Sequence, residues 1–172
     1  SINSDVIPWQ CLAFEDNPSN HLLRAKKFSN QFKLKPVNLT IYNNKKIRIG
    51  YFAIDFHQHP GMINMLGIFK NHDKEKFQII GFYYGEIKKD DMHYKIKEYF
   101  DEFYYVDELS DEEIAKLARN SKIDIAINRS GHTDKARGNI FSYKPAPVQI
   151  NYLGYPGTLG QEGIDYIISD KF

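Results

Sequence analysis

Cysteine is nearly absent from this sequence: Cys11 stands alone among 172 residues. That excludes a disulfide framework and any zinc site built on thiolates. An excess of one charge is missing too. The 23 Lys and Arg against 22 Asp and Glu leave a formal net charge of +1, without the basic surplus of a general nucleic-acid binder. No apolar run nears the roughly 20 residues that span a bilayer, so neither a nucleic acid nor a membrane is expected as partner. The chain begins without Met, and no apolar signal core follows. A reduced, cytoplasmic setting is therefore the expectation. Neither a Gly-x-Ser-x-Gly elbow nor the Gly-Lys-Ser/Thr ending of a P-loop occurs, so a serine hydrolase and a P-loop ATPase have no nucleophile or phosphate cradle. Apolar residues are not scarce. At 42% hydrophobic and 15% aromatic, the chain is too apolar for disorder and long enough for one domain with a real core.

Residues 1–45 differ from the rest. Asn17-Pro18 offers a cap and a first-turn proline, and Leu22, Ala25, Phe28 and Phe32 recur at helical steps. One amphipathic helix is expected there, followed by a connector over 33–46. From Lys46 onward strands and helices alternate. Strands are expected near 47–53, 77–84, 102–106, 123–127, 148–153 and 164–168, with helices near 61–69 and 90–99. Ser110 and Glu113 carry the spacing of a capping box at the head of another helix, running to about 121. No repeat or low-complexity tract interrupts this order. The pattern is α/β, a Rossmann-like and mainly parallel sheet.

Ligands of such sheets bind at loops leaving the carboxyl ends of strands. Three loops qualify: 54–61, 128–138 and 153–160. The first holds Asp55, His57 and His59. A metal pair, a base or a plain hydrogen-bonded loop histidine are all open readings, with metal the least favoured. The second holds Asn128, Ser130, Gly131, His132, Thr133, Lys135 and Arg137, which suits an anion at a helix start or a simple cap. The third, Gly154 to Gly160, lets a backbone approach a ligand closely or merely turns the chain.

The motifs in these loops occur together in one order: Asp55-Phe56-x-x-His59-Pro60, Gly131-His132-Thr133 with Ala136-Arg137, Lys144-Pro145-Ala146-Pro147-Val148-Gln149, and Leu153-Gly154-Tyr155-Pro156-Gly157-Thr158. This resembles the catalytic region of the O-GlcNAc transferase and SPINDLY-like glycosyltransferases. The stretch from residue 7 to 45 is also similar to the segment that joins this family's TPR array to its catalytic region. The resemblance implies a GT-B architecture of two Rossmann-like lobes. Residues 46–172 would be the N-terminal lobe and 1–45 the linker helix and connector, with the C-terminal lobe and the TPR array outside this chain.

The implied reaction is inverting transfer of a sugar, GlcNAc, from a UDP-sugar to Ser or Thr of a protein or peptide acceptor, with no cofactor and no obligatory metal. Residue by residue, His59 matches the family's active-site histidine, a candidate base or acceptor-orienting group. His132 and Thr133 match the loop near acceptor and donor sugar, and Arg137 a basic residue near the donor phosphates. Leu153, Gly154, Tyr155 and Pro156 match the loop lining the sugar pocket. Two departures stand out: Asn128 replaces the Asp of many bacterial relatives, and Gly61-Met62-Ile63-Asn64 lacks the second histidine that some relatives have. Alternatives remain in a non-catalytic sugar-nucleotide or protein-binding scaffold, and in transfer of glucose or transfer to Asn.

Overall fold

The alternation of apolar residues over 47–53 does form a strand, β1 (Ile47–Ala53), in a computed structural model that describes residues 6–171. Residues 1–5 and Phe172, the outer ends of the two segments expected above, lie outside the described residues. β1 pairs in parallel with β2 (Phe77–Tyr83) on one side and β4 (Ile125–Asn128) on the other. β3 (Glu102–Tyr105) extends the sheet beyond β2, while β5 (Val148–Tyr152) and β6 (Tyr166–Ile168) extend it beyond β4. The order β3-β2-β1-β4-β5-β6, parallel at every pairing, is the Rossmann order.

Three helices make the crossovers: α3 (Pro60–Lys70), α4 (Asp91–Lys97) and α5 (Asp111–Asn120). The capping box forms as spaced: Ser110 Oγ accepts from Glu113 N at 3.3 Å, and the Glu113 carboxylate accepts from Ser110 N at 2.9 Å. Successive strand residues then feed two separate cores. Ile49, Tyr51 and Ala53 pack on one face with Met62, Met65 and Phe69 of α3, while Phe52 and Phe82 pack on the other with Ile114 and Ala118 of α5. The aromatic cluster around residues 99–105 belongs to this packing, with Phe100 and Phe103 edge-on to Phe56.

Elsewhere the chain departs from expectation. No α-helix starts at Thr133. Thr133 Oγ1 donates back to the Ser130 carbonyl (2.8 Å), so it caps nothing ahead of it. Lys135 is left-handed (φ +58°), and only a 3-10 helix, Gly138–Tyr143, precedes β5. β4 begins two residues late, because Asp124 has turned its carboxylate to the Arg48 amide (2.8 Å).

The N-terminal part holds a short α1 (Pro8–Cys11), which no periodicity announced, and α2 (Pro18–Ser29), capped by Asn17 Oδ1 on Asn20 N (3.1 Å). α2 stops before Phe32, and Leu22 is exposed. Its end is held on the loop after β5: Ser29 Oγ donates to the Leu159 carbonyl (2.8 Å). Gly160 (φ +53°) passes so close to Lys26 that an added Cβ would sit 2.7 Å from its amide nitrogen. The connector over 33–46 is also tied down, through Lys35 N to Ser142 O (2.8 Å) and Tyr42 Oη to Arg119 O (3.0 Å).

Candidate functional site

β1 and β4 are neighbours whose connections run to opposite halves of the sheet, and a crevice opens outside their carboxyl ends. A cavity of about 490 Å³ occupies it, within the size range of small-molecule sites. All three loops singled out above contribute. His59 comes from the loop after β1, Arg129 and Thr133 from the loop after β4, Leu153 and Gly154 from the loop after β5, and Trp9 of α1 lies at the side. No helix among the described residues is long and apolar enough to cross a membrane.

His59 is the N-cap of α3, extended at φ −151° as the residue before a proline tends to be. Its ring is half exposed, and its Nδ1 lies 3.1 Å from Gly61 N and 2.8 Å from Asp55 Oδ2. Asp55 is buried and pairs through the same oxygen with Arg129, whose side chain is only 3% exposed. Burial pulls the Arg129 guanidinium down to about 10, so it stays charged at neutral pH. His57 lies beside His59, its ring edge-on to that of His59 with centroids 6.2 Å apart and its Nδ1 2.7 Å from the Tyr83 hydroxyl, and burial lowers its pKa. No group of three His, Cys, Asp or Glu side chains suited to a metal ion occurs among the described residues.

The loops after β4 and β5 interlock through glycines. A Cβ on Gly154 would overlap the Arg129 carbonyl oxygen, and one on Gly131 (φ +55°) would overlap the Tyr155 side chain. Leu153, beside them, is a non-glycine residue at φ +71°, a strained conformation of the kind that clusters at functional sites. Thr133 lines the cavity, as do Leu153 and Gly154.

The other matched residues are not gathered there. His132 is buried behind the loop, where Nε2 donates to the Leu159 carbonyl (2.7 Å) and its ring packs edge-on against Phe28 of α2. Burial lowers its pKa, partly offset by that hydrogen bond. Tyr155 is buried against His132 and Trp9, its phenol pushed up to about 12 by burial. Pro156 lines a separate cavity of about 300 Å³ beside β6. Arg137 turns toward α5, with Nε on Asp111 Oδ1 (2.7 Å) and Nη2 on the Leu109 carbonyl (2.6 Å).

Sequence reasoning missed Arg129, Asn64 and Trp9 as cavity residues. A cation directly after the apolar run of β4 was a usable signal, since that position sits at the carboxyl edge of the sheet.

Comparison with known proteins bears on this site. The model of glycosyl transferase family 41 matches residues 24–172. A probable UDP-N-acetylglucosamine–peptide N-acetylglucosaminyltransferase SEC of Arabidopsis thaliana is 31% identical over 100% of this chain and 19% of its own length. The UDP-N-acetylglucosamine–peptide N-acetylglucosaminyltransferase of Caenorhabditis elegans is 34% identical over 76% of this chain and 12% of its own. This chain thus spans a fifth or less of those relatives. A solved mutant O-GlcNAc transferase of Thermobaculum terrenum has the same fold, with a TM-score of 0.86 and 24% identity over 95% of this chain and 32% of the solved one.

Proposed function

The chain belongs to glycosyl transferase family 41, and we propose that it is the N-terminal lobe of an enzyme that transfers GlcNAc from UDP-GlcNAc to Ser or Thr of proteins. Residues 1–45 are then the linker from a TPR array. A second lobe, encoded by the rest of the polypeptide, closes the crevice and supplies most of the uridine-diphosphate pocket. The observation that carries this reading is the convergence of the three family-like loops on one cavity at the switch point of the sheet.

Inverting transfer requires a hydroxyl to attack the anomeric carbon from the face opposite the diphosphate. The new carbon–oxygen bond forms as the bond to the diphosphate breaks. The diphosphate leaves with the electron pair, and the hydroxyl proton passes to a base. The half-exposed imidazole of His59 on the cavity wall supports its assignment to that proton. Thr133, Leu153 and Gly154 form the sugar-facing wall in this reading. His132 and Tyr155 support that wall from behind, consistent with their burial. No step needs a metal, since cations and amide dipoles of the closed cleft can stabilise the leaving diphosphate.

The full-length protein should transfer GlcNAc from UDP-GlcNAc to protein acceptors, and this chain alone should not. His59→Ala should reduce the rate by about 10²- to 10⁴-fold, with UDP-GlcNAc binding by titration calorimetry kept within a few-fold. Undiminished transfer would remove His59 from the mechanism. If UDP binds the full-length protein no better than an unrelated nucleotide, sugar transfer itself fails. UDP-glucose in the same titration separates a glucosyl donor.

A further inference from the structure

Nδ1 of His59 makes two contacts that demand opposite protonation. The backbone N–H of Gly61 points at it from 3.1 Å, which requires a lone pair on Nδ1 and puts the proton of a neutral ring on Nε2. Asp55 Oδ2 lies 2.8 Å from the same atom, and a carboxylate tolerates that approach only if Nδ1 carries the proton. One ring nitrogen cannot serve both, and the partner it keeps decides the tautomer.

The balance turns on whether Asp55 is ionised. Its side chain is 6% exposed, an environment that would by itself favour the neutral acid. Arg129 opposes this, because its guanidinium pairs with the same Oδ2. It is held in place by crowding on two sides: a Cβ on Gly61 would lie 2.6 Å from its Nη1, and one on Gly154 3.0 Å from it. A contact to an ionised group is roughly twice as strong as a neutral one, so the carboxylate outweighs the Gly61 amide.

We propose that Asp55, kept ionised by Arg129, is a positioning residue that places the proton of neutral His59 on Nδ1 and turns the Nε2 lone pair to the cavity. Nothing in the motif order assigns this role to Asp55 or to Arg129. The proposal rests on the reading of His59 as acceptor of the hydroxyl proton, but it can be tested without any transfer. The Gly61 amide is then the partner of the other tautomer, in which Nε2 would carry the proton and accept none.

The test is a long-range proton–nitrogen correlation spectrum of the 172-residue chain with ¹⁵N-labelled histidine, recorded at mildly alkaline pH. His59 is identified by its loss in His59→Gln. The native chain should show a protonated Nδ1 and an unprotonated Nε2. The variant Asp55→Ala with Arg129→Met removes both charges together and leaves no lone buried ion; in it the two resonances should exchange. A native His59 protonated on Nε2 overturns the proposal, and that result needs no variant to fold. A double variant that keeps the native tautomer overturns it as well. If the tautomers behave as stated while full-length His59→Ala retains transfer, the functional reading fails and the positioning stands.

Discussion

Glycines of one chain differ in what they tolerate, and two of them here bracket the range. Gly154 sits where a Cβ would overlap the Arg129 carbonyl, whereas a Cβ on Gly67 in α3 would meet nothing within 4 Å. Gly67→Ala should therefore stabilise the fold by about 1 kcal/mol, the helix-propensity difference. Gly154→Ala should destabilise it by about 1–3 kcal/mol through overpacking, and chemical denaturation of the two variants checks both signs. Equal effects of the two substitutions would show that the loops after β4 and β5 do not interlock. The turn-rich motif marked Gly154 as a place of close approach, but a ligand was the partner considered. The partner within this chain is a backbone oxygen of the neighbouring loop, the one after β4. Likewise Asp55 was visible as a carboxylate, while its pairing with Arg129, 74 residues on, depends on two strands being neighbours.

Elements with strong internal patterning were legible: β1, β2 and α5 each carry their own period or cap. The segment between β4 and β5 has neither, and its path is set by what it packs on, so the expected helix there was wrong. α1 spans four residues, too few for any period. It nevertheless carries Trp9, 47% exposed, to the cavity. Trp9 is also the one tryptophan of the sequence, so its fluorescence reports on that wall alone. In the full-length protein UDP-GlcNAc should shift or quench this emission, and Trp9→Phe should abolish that part of the signal. Unchanged emission while calorimetry of the same protein shows saturation would place the ligand elsewhere.

At the scale of the whole molecule, the class of fold was readable because alternation of strand and helix admits few parallel arrangements, while the strand order awaited the pairing of β1 with β4. Stability is a property of this scale, and three histidines give it a pH dependence. Burial lowers the pKa of His57, His72 and His132 below the ordinary 6.5. The unfolded chain therefore takes up protons that the folded one resists as pH falls through about 6.5. Unfolding is favoured in that window, and the melting temperature should decline from pH 7.5 toward 5.5, with little slope from these groups above it. His132→Gln, which keeps a donor for the Leu159 carbonyl, should flatten the decline. An equally steep decline in that variant would assign it to other groups.

The hydrogen bond from Ser29 to Leu159 spans 130 residues of chain, and its consequence lies in synthesis. At about 5–20 residues per second, the partner of α2 leaves the ribosome on the order of ten seconds after the helix does. Through that interval α2 is made but lacks the loop that holds its end, and α2 alone is too short to be more than marginally helical in water. Among the described residues α2 is thus made early but secured late, and a nascent chain stalled before Leu159 should leave it open to protease.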